Sequence, residues 1–139
     1  MRYLVPLSLC FLIASPQAHA CRDPMSGTTL FFQIIPSPQP DADVMARVSL
    51  SEVNEELGLG TATATVIEVL KASDERIHQG DKIAMKYQAT SCGPDHKNGD
   101  TGMIIARTGA DIKGHLVLYP YMHDYHGRVE APSISRAFQ

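Results

Sequence analysis

The sequence predicts a small all-β barrel or sandwich built from five short strands. Three observations carry that expectation. Alternating or β-branched runs recur along the chain, with turn-forming residues between them. Nine prolines and ten glycines are scattered through 139 residues, which works against long helices and coiled coils. A hydrophobic fraction of 44% supplies a core and excludes a disordered chain.

The first element is an address rather than structure. Arg2 is followed by an apolar stretch from Tyr3 to Ala14, and the segment ends Ala18-His19-Ala20. That is the pattern of a secretory signal peptide, so residues 1–20 are expected to be removed and 21–139 to form a single domain. The apolar stretch is too short to span a membrane and contains Pro6. No later segment approaches the roughly eighteen apolar residues of a spanning helix, so the mature chain is expected to lack a transmembrane segment. The expected location is secreted or periplasmic. A lipoprotein cut would also leave Cys21 first. A lipobox, however, places Leu three residues before its cysteine, where this chain has Ala18.

The mature chain begins Cys21-Arg22-Asp23-Pro24 and reaches an apolar run, Leu30–Ile35. Pro36, Pro38 and Pro40 then make a stiff connector. Val44, Ala46, Val48 and Leu50 alternate with other residues, which predicts strand one over Val44–Leu50. Ser51–Gly60 is polar and reads as a loop. Thr61–Lys71 is rich in β-branched residues and is long enough to bend across a barrel as strand two. Ser73–Gly80 is a turn region. Ile83, Met85 and Tyr87 alternate with Lys82, Ala84, Lys86 and Gln88, giving strand three one wet face. Thr90–Asp100 reads as a surface loop. Gly102–Arg107 is strand four, Ala110–Gly114 a turn, and His115–Tyr121 strand five. Ile134–Phe138 suits a short helix that would cover a barrel end.

Charge and cysteines narrow the function. The formal charge is −3 with no Lys/Arg run, so nucleic acid is not an expected partner. Cys10 leaves with the signal peptide, and Cys21 and Cys92 remain. Export favours one disulfide between them over two free thiols. The bond would close a loop of about 70 residues, worth roughly 4 kcal/mol in the chain-entropy model. There is no CxxC redox motif.

The order of features supports a resemblance. Cys21 follows the cleavage site directly, and Ala42-Asp43-Val44 opens strand one. Ala64–Lys71 opens strand two and ends in a turn, and Gly80-Asp81-Lys82-Ile83 leads into strand three, which runs to Ser91-Cys92-Gly93. Gly99–Ala106 and Gly114–Leu118 give the last two strands. Over about Cys21–Tyr121 the chain resembles the netrin-like module, and in particular the N-terminal domain of tissue inhibitors of metalloproteinases. That resemblance implies a five-stranded OB-fold barrel that binds protein and is not an enzyme. It implies that Cys21, disulfide-bonded to Cys92, presents its α-amine and carbonyl to the zinc of a target protease. Arg22 would enter the specificity pocket, with Asp23 and Pro24 completing the ridge and Gln88, Ala89, Thr90 and Ser91 flanking it. Zinc proteases keep an open coordination position that such a pair can fill. The inhibitor itself would need no cofactor. The chain departs from the family at Asp23, where the family has a second cysteine, and at Arg22, where it has a smaller residue.

Other clusters give alternatives. A non-inhibitory interaction module is the first. A small metal-dependent enzyme using His115, His123 and His126 is the second, although Pro120 and Gly127 argue against helical spacing there. His96 is expected to be exposed. Asp95–Asp100 departs from a calcium loop at Lys97 and reads as a turn. Tyr119, Tyr121 and Tyr125 form either a sticky face or a half-buried barrel wall. Glu52, Glu55 and Glu56 read as a solvated loop. No Ser-His-Asp spacing, phosphate loop or carboxylate pair stands out.

Overall fold

The computed structural model describes residues 27–56, 58–90, 92–93 and 95–132. The signal segment, Cys21–Pro24 and Ile134–Phe138 lie outside those residues. The strands are β1 (Thr28–Thr29), β2 (Val44–Glu56), β3 (Leu59–Ala72), β4 (Lys82–Gln88), β5 (Thr101–Ala110), β6 (Leu116–Pro120), β7 (Met122–Asp124) and β8 (Val129–Glu130). No helix among the described residues is long and apolar enough to cross a membrane.

Five strands close into a barrel in the order β2-β3-β4-β6-β5, and β5 returns to β2. Every neighbouring pair is antiparallel except β4 and β6, which run parallel. The closure is OB-fold-like, with a long first barrel strand shared between its hairpin partner and a later strand. The expected all-β class and five barrel strands are therefore present.

Alternation explains which face turns inward. Val44, Ala46, Val48 and Leu50 are all buried in one core with Ala64, Val66, Ile83, Met85, Ile104 and Leu118. On β4, Ile83, Met85 and Tyr87 are buried, while Lys82, Ala84 and Gln88 are exposed. β3 bends through two register shifts against β2, which leave Ile67 and Leu70 as the extra residues. Both are 43% exposed, as expected for side chains displaced from the pleat at a bulge.

The reading of Ser51–Gly60 as a loop is overturned. β2 continues to Glu56 and β3 begins at Leu59, so the segment is a paired hairpin. The sequence signal was weak because the inward face carries Val53 between the polar Ser51 and Glu55, too little apolar alternation to reveal the pleat. β2 pairs with β5 only from Val44 to Ser49 and then continues with β3 alone. Glu52 sits at φ 52°, and one extra β2 residue lies between Ser51 and Asn54. Val53 N–H donates there to Asn98 Oδ1 at 2.9 Å. Asn98→Ala is expected to cost about 0.5–1.5 kcal/mol, read as a lower urea midpoint with an unchanged slope.

An N-terminal arm, residues 27–35, packs across the barrel. Leu30 is fully buried and joins the barrel core. Phe32 packs with Met45, Ile105 and Tyr121 in a second cluster on the outer face of the barrel. Phe32 N–H donates to Met103 O at 2.8 Å. β1 pairs with β7, and β7 with β8, making a small three-stranded sheet that periodicity did not reveal. Strands this short carry too few residues to show a period.

Candidate interaction site at the N-terminal arm

Two glycines let the arm lie flush against the β4–β5 loop. A Cβ on Gly27 would come within 2.2 Å of Cys92 O, and one on Gly93 within 2.4 Å of Thr28 O. Both collisions are with backbone, so the approach requires glycine on each side. Thr28 N–H donates to Thr90 Oγ1 at 3.2 Å across the same contact. Cys92 is half-buried in this loop.

Of the expected partner-binding residues, Gln88, Ala89, Thr90 and Cys92 are described, whereas Cys21, Arg22, Asp23, Pro24 and Ser91 are not. Gln88 is exposed at the end of β4, opposite Leu59. Ala89 is half-buried and donates its N–H to Gly58 O at 3.1 Å. Thr90 is half-buried and holds the arm. Of these three, Thr90 touches the arm, through Thr28 N–H, while Gln88 and Ala89 lie against the β2–β3 turn.

Behind the arm lies a buried polar cluster. Glu55 Oε1 accepts the Tyr87 hydroxyl at 2.7 Å and lies 2.7 Å from His96 Nδ1. The His96 side chain is only 5% exposed, and that of Glu55 19%. Leu30 N–H donates to His96 Nε2 at 3.3 Å, and Thr29 Oγ1 is also 3.3 Å from that nitrogen. An amide N–H can only donate, so Nε2 carries the lone pair and Nδ1 carries the proton given to Glu55. The Phe31 and Tyr87 rings meet the imidazole near edge-on, at 75° and 81°. Burial, and after it the Glu55 carboxylate, pushes the Tyr87 phenol well above its ordinary range, so it stays a donor.

Two expectations are corrected by this cluster. His96 is buried, not exposed, and Glu55 is a shared acceptor rather than a solvated charge. Residues 51–56 form a strand, so Glu55 falls on the inward side while Glu52 and Glu56 point out. The Thr29–His96–Glu55 order matches a nucleophile–base–acid relay. Here the base nitrogen already accepts a backbone N–H, which spends its lone pair in the fold.

The remaining candidates are dispersed. His123 Nε2 donates to Phe31 O at 2.7 Å, and its Nδ1 lies 3.2 Å from Asp124 O. His115 pairs with Asp111 in the β5–β6 turn. Among the described residues, no three His, Cys, Asp or Glu side chains are grouped as for a metal ion. Tyr119 and Tyr121 are buried in the barrel wall, and Tyr125 alone of the three is exposed, at 77%. Tyr121 donates to Asp41 O at 2.6 Å, which ties down the connector before β2. In Asp95–Asp100 the Asp100 carboxylate accepts Lys97 N–H at 2.8 Å, closing a turn. A groove beside the arm is lined by Phe31, Ile34, Cys92, Gly102, His123 and Tyr125.

Geometry thus defines an OB-fold-like barrel with an N-terminal arm seated against its cysteine loop. Comparison with protein-family models, curated proteins and solved structures found no match.

Proposed function

We propose that the protein is an exported protein-binding module whose recognition edge is its N-terminus, held beside the Cys92 loop. The named mechanism is inhibition of a zinc metalloproteinase, with the Cys21 α-amine and carbonyl occupying the open zinc position. The observation that carries this reading is the glycine-on-backbone contact of Gly27 with Cys92 and of Thr28 with Gly93. Gly27 stands six residues after Cys21, so this contact leaves a Cys21–Cys92 disulfide within chain reach. A terminus restrained in this way loses less conformational freedom on binding. An α-amine with an ordinary pKa of about 7.7–8.0 gives up its proton readily to zinc.

The second reading is an interaction module with no inhibitory activity. The exposed Ile34 of the arm and Tyr125 across the same groove favour it, because such a patch can bind a partner without a zinc ligand. One experiment separates the two. The exported chain starting at unmodified Cys21 is compared with a chain carrying one extra residue before it, against a panel of zinc metalloproteinases. Inhibition by the first and loss of it in the second is the expected result. An unmodified, disulfide-bonded Cys21 chain that inhibits none of the panel would leave the module reading alone.

A further inference from the structure

We propose that His96 is a pH-dependent clasp for the N-terminal arm. In the neutral ring, Nδ1–H is given to Glu55 and Nε2 accepts Leu30 N–H. Protonation adds a hydrogen to Nε2, which then faces the Leu30 N–H donor to donor. The Thr29 hydroxyl can turn to accept the new hydrogen, but the Leu30 amide has no such freedom. It is buried with a side chain that is 0% exposed. An unpaired buried amide is costly, so the arm lifts at Leu30 while the ring stays tied to Glu55.

The surroundings set which way the device works. Glu55 from β2 and Tyr87 from β4 are the ionisable groups bonded within the cluster. Asp95, from the loop that carries His96, is exposed in the same cleft, and Lys97 is exposed on the other side of His96 in sequence. The arm contributes Thr29, Leu30 and Phe31, none of which is charged. The carboxylate therefore draws the protonated ring toward the barrel, and the bond that breaks is the one to the arm. Histidine is the side chain that ordinarily changes charge between about pH 5 and 8, so that is the range over which the clasp is tested. This inference does not depend on what the arm binds, because it is read without any partner.

The test uses the oxidised exported chain and nuclear magnetic resonance. Ring-nitrogen shifts of His96 near pH 7.5 report which nitrogen carries the proton. Amide exchange of Leu30 is then compared with that of Phe32, whose N–H goes to Met103 O, with His123→Gln measured alongside because His123 bonds the Phe31 carbonyl of the same peptide. From about pH 7.5 to about pH 5, the Leu30 protection factor is expected to fall about tenfold relative to that of Phe32. In His96→Gln the amide oxygen can accept Leu30 N–H at every pH, and the ratio should stay flat. A proton on Nε2 near neutrality, or an unchanged ratio in the wild type, overturns the clasp. Should His96→Gln fail to fold, the two wild-type readings decide.

Discussion

Glu55→Ala is expected to destabilise the protein by about 2–5 kcal/mol. One carboxylate oxygen serves two buried donors, the Tyr87 hydroxyl and His96 Nδ1–H. Truncation leaves both without an acceptor, at about 1–3 kcal/mol each. The upper end is tempered because the Glu55 side chain is 19% exposed and water can enter from the cleft. Glu55→Gln keeps one acceptor oxygen and should lose about half as much. Tyr87→Phe removes one donor along with its demand, so its cost should be smaller than that of Glu55→Ala. A double-mutant cycle of Glu55→Gln with Tyr87→Phe should return a coupling above about 0.5 kcal/mol, as direct partners do. Urea unfolding at neutral pH measures all four variants against the wild type. A loss below about 0.5 kcal/mol in Glu55→Ala would mean that cleft water satisfies both donors.

What the sequence revealed follows from which residues carry a period. β2 through Leu50 and β4 were legible because one face is apolar and the other is not. The β2–β3 extension was hidden, since Ser51, Glu52, Asn54, Glu55 and Glu56 give no such contrast. With the strand end misplaced, Glu55 could not be seen to turn inward. His96 was hidden for a related reason. Its neighbours Asp95, Lys97, Asn98 and Gly99 are turn residues, and the partners that bury it lie on the arm, β2 and β4. Sequence separations of 41 and 66 residues leave no local trace. A signal did exist in Gly27 and Gly93. Glycines flanking a cysteine loop and an apolar arm are what close backbone contact demands, although only coordinates show that the two meet.

Leu30→Ala bears on what holds the arm to the barrel. Leu30 is 0% exposed and belongs to the same cluster as Val48, Leu50, Met85 and Ile104. Its loss removes buried methyl groups and leaves a cavity that the closed strands cannot easily collapse, costing about 2–5 kcal/mol. Much of that loss should be local, because Leu30 is the arm's fully buried side chain in the barrel core, whereas its other anchors, at Thr28, Phe31, Phe32 and the His96 bond, hold the arm from outside that core. The proposed Cys21–Cys92 disulfide would tether the arm without seating it. It would limit how far residues 27–35 drift, whereas Leu30 fixes where they sit. Limited proteolysis should therefore cut Leu30→Ala within the arm or the proline connector under conditions where the barrel survives. Urea unfolding of the same variant should retain a cooperative barrel transition. If the variant instead unfolds as one unit with no early arm cleavage, arm and barrel form a single cooperative structure. The N-terminal edge would then be as rigid as the core behind it.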